Sequence, residues 1–354
     1  RDRPYSDRIL TSENSEIEIL ETEKNSLLNK IKYSVKMNIP YNLTSREQKQ
    51  DNIQIEFFVT LSLEKDSSLV KVDVEVENKA IEHRVRVLFK TGIESTESIA
   101  DQQFGTIRRP VYLSEVENWR ENGWNEKPRT IEPMQSFVSL ANDHENVSII
   151  TDCVREYQIT GEKFDTIALT LFRSTPEMGK AELKDRPGRA SGMANWETPD
   201  ANLLKNLKFN FAISIGKNEY SISKISNISK EYLTPFYYYQ AAEFKNVDIF
   251  FLMNKPEIQD VPFDYSIFSS ENRNCILSTV KKAEKENALI IRVYNPDDKK
   301  STDFDIIYHD DIKNTSLVKF DEETVMDNVE FSFDGNKINI SEVKTCQALS
   351  IKVK

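Results

Sequence analysis

Ile53-Gln-Ile-Glu-Phe-Phe-Val-Thr-Leu-Ser-Leu-Glu64 and the nearby Leu69-Val-Lys-Val-Asp-Val-Glu-Val-Glu77 decide the fold. In the first, Ile53, Ile55, Phe57, Val59, Leu61 and Leu63 recur at every second position. In the second, Val70, Val72, Val74 and Val76 do the same, with Lys71, Asp73 and Glu75 between them. A period of two is the signature of a strand with one greasy face; a helix would repeat near 3.6. Successive strand side chains leave on opposite faces, so each run offers a complete apolar face to a partner sheet.

The pattern spreads outward from there. Val85, Val87 and Phe89 continue it, as do Ile167, Leu169 and Leu171, and then Leu207, Phe209, Phe211, Ile213 and Ile215. Two such sheets stacked face to face make a sandwich, and at ~25 cal/mol per Å² of apolar surface buried they sustain a core. The best helical candidates are Ser278–Glu286 and Ser114–Asn122. Both are weak beside the alternation, so the expected fold is all-β and antiparallel. The alternating runs stop between residues 222 and 245, in a Ser/Lys/Asn-rich stretch leading to Pro235 and Phe236-Tyr-Tyr-Tyr239. A second β series follows at Leu289–Tyr294, Val329–Phe333 and Leu349–Val353. The expected division is a large sandwich over residues 1–228 and a smaller β domain over 229–354.

Composition bounds the function. The 354 residues hold 47 Lys and Arg against 58 Asp and Glu, a formal net charge of −11, with 38% hydrophobic and 30% charged residues. An acidic chain without a basic run has no electrostatic footprint for nucleic acid or an anionic membrane. No apolar run reaches the ~18 residues of a membrane helix. Cys153, Cys275 and Cys346 are odd in number and widely spaced, which suggests reduced thiols and a cytoplasmic setting. The opening Arg1-Asp-Arg-Pro-Tyr5 has neither an initiator Met nor a signal-peptide core, and is expected to be the cut end of something longer. Five Asn-X-Ser/Thr sites read as chance in an Asn- and Ser-rich chain.

Chemistry is sparse. His83, His144 and His309 are isolated from one another. His309-Asp310-Asp311 reads as an acidic surface turn, because zinc sites want three or four protein ligands. With nine glycines there is no nucleophile elbow, phosphate loop or dinucleotide fingerprint. Cys153 is expected as a small buried core residue. Two segments have polar character. Lys184-Asp-Arg-Pro-Gly-Arg189 sets Arg186 and Arg189 around a Pro-Gly turn, which would hold both guanidinium groups at a sheet edge. Ala100-Asp-Gln-Gln-Phe-Gly-Thr-Ile-Arg-Arg-Pro110 carries amide, carboxylate and guanidinium groups ahead of Trp119 and Trp124. Such groups suit sugar hydroxyls and suit ordinary surface ion pairs as well.

Taken together, five motifs in order resemble the C-terminal part of glycoside hydrolase family 38, in its bacterial branch. They are Arg84-Val-Arg-Val-Leu-Phe89, Ala100–Gly105 with Arg109-Pro110, Leu169-Thr-Leu-Phe-Arg-Ser174, Arg186-Pro-Gly-Arg189 with Thr198-Pro199, and Leu277–Glu284 with Leu289-Ile-Ile-Arg-Val-Tyr-Asn-Pro296. That family contains α-mannosidases and mannosylglycerate hydrolases. The resemblance implies a large antiparallel β-sandwich of the supersandwich, galactose-mutarotase-like kind, followed by a smaller β-sandwich. It implies an N-terminal catalytic barrel and a helical bundle as partners in the same protein, an α-mannoside substrate, and zinc whose ligands lie outside this chain. A homodimer is compatible with it. Retention of configuration would proceed through an attacking carboxylate and a second carboxyl serving as acid and base.

By matched motif, Asp101, Arg109, Arg186 and Arg189 are the expected substrate-binding residues at the rim of the site, with no catalytic residue in the chain. Where the family's animal members carry an aromatic residue ahead of the Asp101 position, this chain has Ile99 and Ala100. The alternative of a different class is a free-standing carbohydrate-binding or adhesive β-sandwich.

Overall fold

Ile53–Glu64 forms one long strand, whose Phe57–Ser62 pair with Val76–Lys71 of the next, Leu69–Glu77. The computed structural model describes residues 9–178, 182–183, 185–187, 196–217, 220–238 and 264–354. It forms two compact units, Arg1–Ser221 and Ile222–Lys354.

In the first unit the strands are β1 (Glu16–Lys24), β2 (Leu28–Ile39), β3 (Ile53–Glu64), β4 (Leu69–Glu77), β5 (Arg84–Lys90), β6 (Glu97–Gln102) and β7 (Gly105–Pro110). After them come β8 (Ile131–Pro133), β9 (Phe137–Ala141), β10 (Glu145–Thr151), β11 (Glu156–Thr160) and β12 (Thr166–Arg173). Four two-residue strands follow, β13 (Glu177–Met178), β14 (Glu182–Leu183), β15 (Arg186–Pro187) and β16 (Trp196–Glu197), and then β17 (Asn206–Lys217). One sheet has the order β1-β2-β3-β4-β17-β10-β9-β6-β7 and a second the order β5-β12-β11-β8. Both are antiparallel throughout.

The expected apolar faces meet between these sheets. Val72, Val74, Val76, Phe209 and Phe211 come from the first sheet, and Ile159, Ile167, Leu169 and Leu171 from the second. Aromatic rings lock the layers: Phe89 meets Phe211 edge-on at 5.7 Å and Phe172 stacks on Phe209 at 6.0 Å. The short helix α1 (Leu43–Glu47) bridges β2 and β3, capped by Asn42, whose side chain accepts from the Ser45 N–H at 2.9 Å. Glu115–Asn118 forms α2, inside the second helical candidate.

The second unit opens with α3 (Ile222–Leu233), followed by β18 (Phe268–Ser269), β19 (Ile276–Lys282), β20 (Leu289–Tyr294), β21 (Thr302–Tyr308), β22 (Thr315–Val318), β23 (Phe331–Asp334), β24 (Lys337–Val343) and β25 (Ala348–Val353). Two four-stranded sheets, β18-β21-β24-β23 and β19-β20-β25-β22, enclose Ile291, Val293, Phe304, Ile306, Ile338 and Ile351.

The structure decides one weak helical candidate and overturns one expectation. Ser278–Glu286 is not a helix: residues 276–282 form β19, tied across Ile276–Lys282 to β20, and the chain turns back where the Ala283 N–H meets the Ala288 carbonyl at 2.9 Å. Pairing with an apolar partner strand decided the conformation where local pattern was weak. Cys153 is not a core residue. It sits exposed on a bend past the end of β10, while Val154 turns inward instead.

Candidate functional site

The hairpin β6–β7 carries two of the four expected site residues, and its register separates them. The turn at Gln103-Phe104, with Phe104 in the left-handed region at φ 59°, sets Asp101 opposite Thr106, Ile99 opposite Arg108 and Ser98 opposite Arg109. Cross-strand partners share a face. Asp101 therefore shares a face with Arg108, while Arg109 leaves on the other side.

Arg109 points between the two sheets. Its Nη1 donates to the Pro133 carbonyl at 2.9 Å and to the Tyr157 hydroxyl at 3.3 Å, and its Nε lies 3.2 Å from Glu132 Oε2. Ser98 Oγ lies 3.0 Å from the same Tyr157 hydroxyl. These contacts stitch β7 in the large sheet to β8 and β11 in the small one. Burial pushes the Glu132 carboxyl above its ordinary pKa, and the Arg109 charge works against that rise.

Asp101 is 9% exposed. One carboxylate oxygen accepts a very short hydrogen bond from Ser136 Oγ, and its carbonyl accepts the Gln135 N–H at 2.9 Å. On the same face Arg108 pairs with Glu97 at 2.7 Å. Tyr220 donates its hydroxyl to Ser139 Oγ at 2.8 Å, and Ser139 and Ser148 hydroxyls lie 2.6 Å apart. Burial drives the Tyr220 hydroxyl far above its usual pKa; the two serines and Arg108 oppose this and the Asp101 charge adds to it. This face is a buried polar layer, well suited to fixing the hairpin.

Arg186 lies on the separate ribbon β14–β15, where Leu183 pairs with Arg186. Its Nε stands 3.6 Å from Glu126, the adjacent Asp185 carbonyl accepts the Lys127 N–H at 2.9 Å, and Asp185 pairs with Arg129. The 124–130 loop and the ribbon thus hold each other, and the Arg186 side chain keeps partial exposure. Gly188 and Arg189, and with them the expected Pro-Gly turn, lie outside the described residues. Trp119 is buried under the Arg120 guanidinium at 5.0 Å, and Trp124 is exposed.

Sequence reasoning missed Glu132, Ser136 and Tyr157, which complete these arrangements from strands and loops 23 to 59 positions away. It also missed the ion group at the strand ends of the four-stranded sheet, where Arg173 contacts both oxygens of Glu156 and Arg84 stands 3.9 Å from it. Burial raises the Glu156 pKa, but the Arg173 and Thr170 hydrogen bonds and the two guanidinium charges outweigh it and leave the carboxyl below its ordinary value.

The described residues do not fit the zinc implied by the resemblance. Among the described residues no three His, Cys, Asp or Glu side chains converge as a metal site. The His83 ring is packed edge-on against Phe172 at 5.5 Å and His309 against Tyr265 at 4.5 Å. A 190 Å³ cavity lined by Phe268, Tyr308, His309 and Asn336 and a 680 Å³ groove lined by Thr315, Met326, Val329 and Phe331 both belong to the second unit, and neither includes an expected site residue. No helix among the described residues is long and apolar enough to cross a membrane.

Residues 3–177 match the family described as "Glycosyl hydrolases family 38 C-terminal domain", and residues 274–352 match "Glycosyl hydrolases family 38 C-terminal beta sandwich domain". The chain is 25% identical over 271 residues to a protein of Halalkalibacterium halodurans named "Putative mannosylglycerate hydrolase", an alignment covering 75% of this chain and 26% of that one. Two solved chains of Enterococcus faecalis, one described as a protein in glycosyl hydrolase family 38 and the other as an alpha-mannosidase, superpose with TM-scores of 0.74 and 0.75 at 16% identity. Both superpositions take in 98% of this chain, against 37% and 36% of theirs. At that identity the likeness is one of fold, and it agrees with the all-β sandwich architecture. The chain spans about a quarter of the curated relative and just over a third of the solved chains.

Proposed function

Because the chain belongs to the C-terminal region of glycoside hydrolase family 38, we propose that it is the non-catalytic part of a zinc-dependent, retaining α-mannosidase that acts on terminal α-mannosides. The observation that carries this reading is the pair of matches. The large sandwich and the small one answer, in order, to the family's two C-terminal domains. In this reading the zinc ligands and the two carboxylates of a retaining glycosidase stand outside these residues, on the barrel that the sandwiches support. Three widely spaced free cysteines favour a cytoplasmic setting.

The four expected rim residues divide into two roles. Arg186 and Arg189 are the proposed substrate contacts, supported by an Arg186 side chain that keeps 18% exposure on a braced ribbon. A guanidinium so held can donate in a fixed direction to sugar hydroxyls. Asp101 and Arg109 are the proposed positioning residues, supported by the bonds each makes within the sandwich.

The test is hydrolysis of an α-mannoside by the full-length protein and its Arg186→Ala and Arg189→Ala variants. A charged hydrogen bond is worth ~1.5–3 kcal/mol, so kcat/KM should fall about 10- to 100-fold with no change in melting temperature. Unchanged kcat/KM in both variants overturns the rim assignment.

A further inference from the structure

The nine-stranded sheet carries more apolar surface than the four-stranded sheet covers. Register sets Ile17 beside Val35 and Ile19 beside Tyr33 between β1 and β2. It then sets Tyr33 beside Val59 and Ile31 beside Leu61 between β2 and β3. Val59 and Leu61 pack against the core, and Tyr33 is half-buried enough for burial to raise its hydroxyl pKa. At β1 the cover ends, and Ile17 and Ile19 are 59% and 63% exposed. Strand β1 is also the terminal strand of its sheet, so nine residues of backbone have no strand beyond them among the described residues. A long edge with apolar side chains is a template for one more strand.

Charge narrows the occupant. The other face of β1 carries Glu16, Glu18, Glu21 and Glu23, which share Lys36 and Lys30 on β2. A second copy of β1 laid antiparallel, with apolar faces matched, brings glutamates together. Ile17 opposite Thr22 puts Glu18 against Glu21, and Ile19 opposite Thr22 puts Glu18 against Glu23. Like charges directly opposite are destabilising. The edge refuses its own copy and favours a strand of opposite charge.

We propose that β1 is completed by an extended segment of the same polypeptide, lying outside these 354 residues, in which Lys or Arg alternates with apolar residues. The proposal rests on the reading that this chain is part of a longer family 38 protein. That family's solved chains have room for such a segment, since this one spans only 36–37% of them.

The experiment is amide hydrogen exchange, read by mass spectrometry, on the purified full-length protein. Residues 16–24 should exchange about 100-fold more slowly than a free edge, near the rate of the interior strand β17, and independently of protein concentration. Combined Glu18→Lys and Glu21→Lys should speed exchange in 16–24 by about 10-fold or more and leave β17 unchanged. Free-edge exchange of residues 16–24 in the full-length protein overturns the proposal. Protection that grows with protein concentration assigns the edge to a second copy and overturns it too, and protection indifferent to the charge reversal overturns the basic partner. None of these readouts uses hydrolysis, so a failure here is distinct from a failure of the mannosidase reading.

Discussion

Arg109 is the residue on which the two roles of this region separate, and its replacement can be worked through. Arg109→Met keeps most of the aliphatic stem and removes the guanidinium. The ion pair to Glu132 and the bonds to the Pro133 carbonyl and the Tyr157 hydroxyl go with it, leaving Glu132 half-buried without its cation. Breaking a fully buried pair costs ~3–5 kcal/mol. Here the two side chains are 17% and 27% exposed, so solvent screening reduces the loss to about 2–3 kcal/mol. For a unit of this size each kcal/mol moves the midpoint about 2–4 °C, so scanning calorimetry on the full-length protein should show this region melting about 5–10 °C lower. Glu132→Gln should overlap with it, giving a coupling of about 1–2 kcal/mol in a double-mutant cycle. A midpoint unmoved in Arg109→Met, with kcat/KM collapsed, would refute the reasoning and put the side chain against substrate.

Other consequences follow from particular residues. Both ring nitrogens of His83 are buried without a hydrogen bond in normal geometry, and burial lowers its pKa; the Ile81 carbonyl opposes this and the Arg46 charge adds to it. The depressed folded value means stability is fully present above the unfolded pKa of ~6.5. It is lost as pH falls below that, by at most about 1.4 kcal/mol per pH unit. Melting curves from pH 7.5 to 5.5 should therefore show His83→Gln gaining on the native protein, and parallel curves would contradict this. Gly161 has φ 94°, and a Cβ there would lie 2.6 Å from Asp165 Oδ1, so Gly161→Ala should cost about 1–3 kcal/mol in chemical denaturation. In the small sandwich, Ile291 is fully buried between the sheets, and Ile291→Ala should cost about 2–5 kcal/mol by the same measurement.

The architecture was legible in most strands with one buried face, because burial of one face imposes strict alternation. Residues 53–77, 85–89, 167–171 and 207–215 all read that way and all pair as strands. Strand β1 escaped because it has no covered face, and its Glu/Ile alternation resembles surface sequence; β2 went unread although Ile31, Tyr33, Val35, Met37 and Ile39 alternate on a face that packs against the core. Helix α3 escaped for a different reason: Ile222, Ile225 and Ser229 are buried at helical spacing, but Ser and Asn, poor helix formers, dilute the signal. The candidate site was half legible. Asp101 and Arg109 stand out by type, and parity around a Gln103-Phe104 turn would have put them on opposite faces. Their partners Ser136, Glu132 and Tyr157 were not legible, since contacts between residues distant in sequence leave no local pattern. For Arg186, neither spacing nor type foretold Glu126, because the loop that supplies it has no period.

The central claim is that these sandwiches serve a hydrolase without performing the hydrolysis. The measurement that tests it most directly is α-mannoside hydrolysis by the full-length protein and by residues 1–354 alone, side by side. The full-length protein should turn the substrate over and the 354 residues alone should not. Turnover by the 354 residues would place catalysis within them. Glycan binding without hydrolysis in the full-length protein would make the chain a sugar-binding sandwich. Either result would contradict the claim.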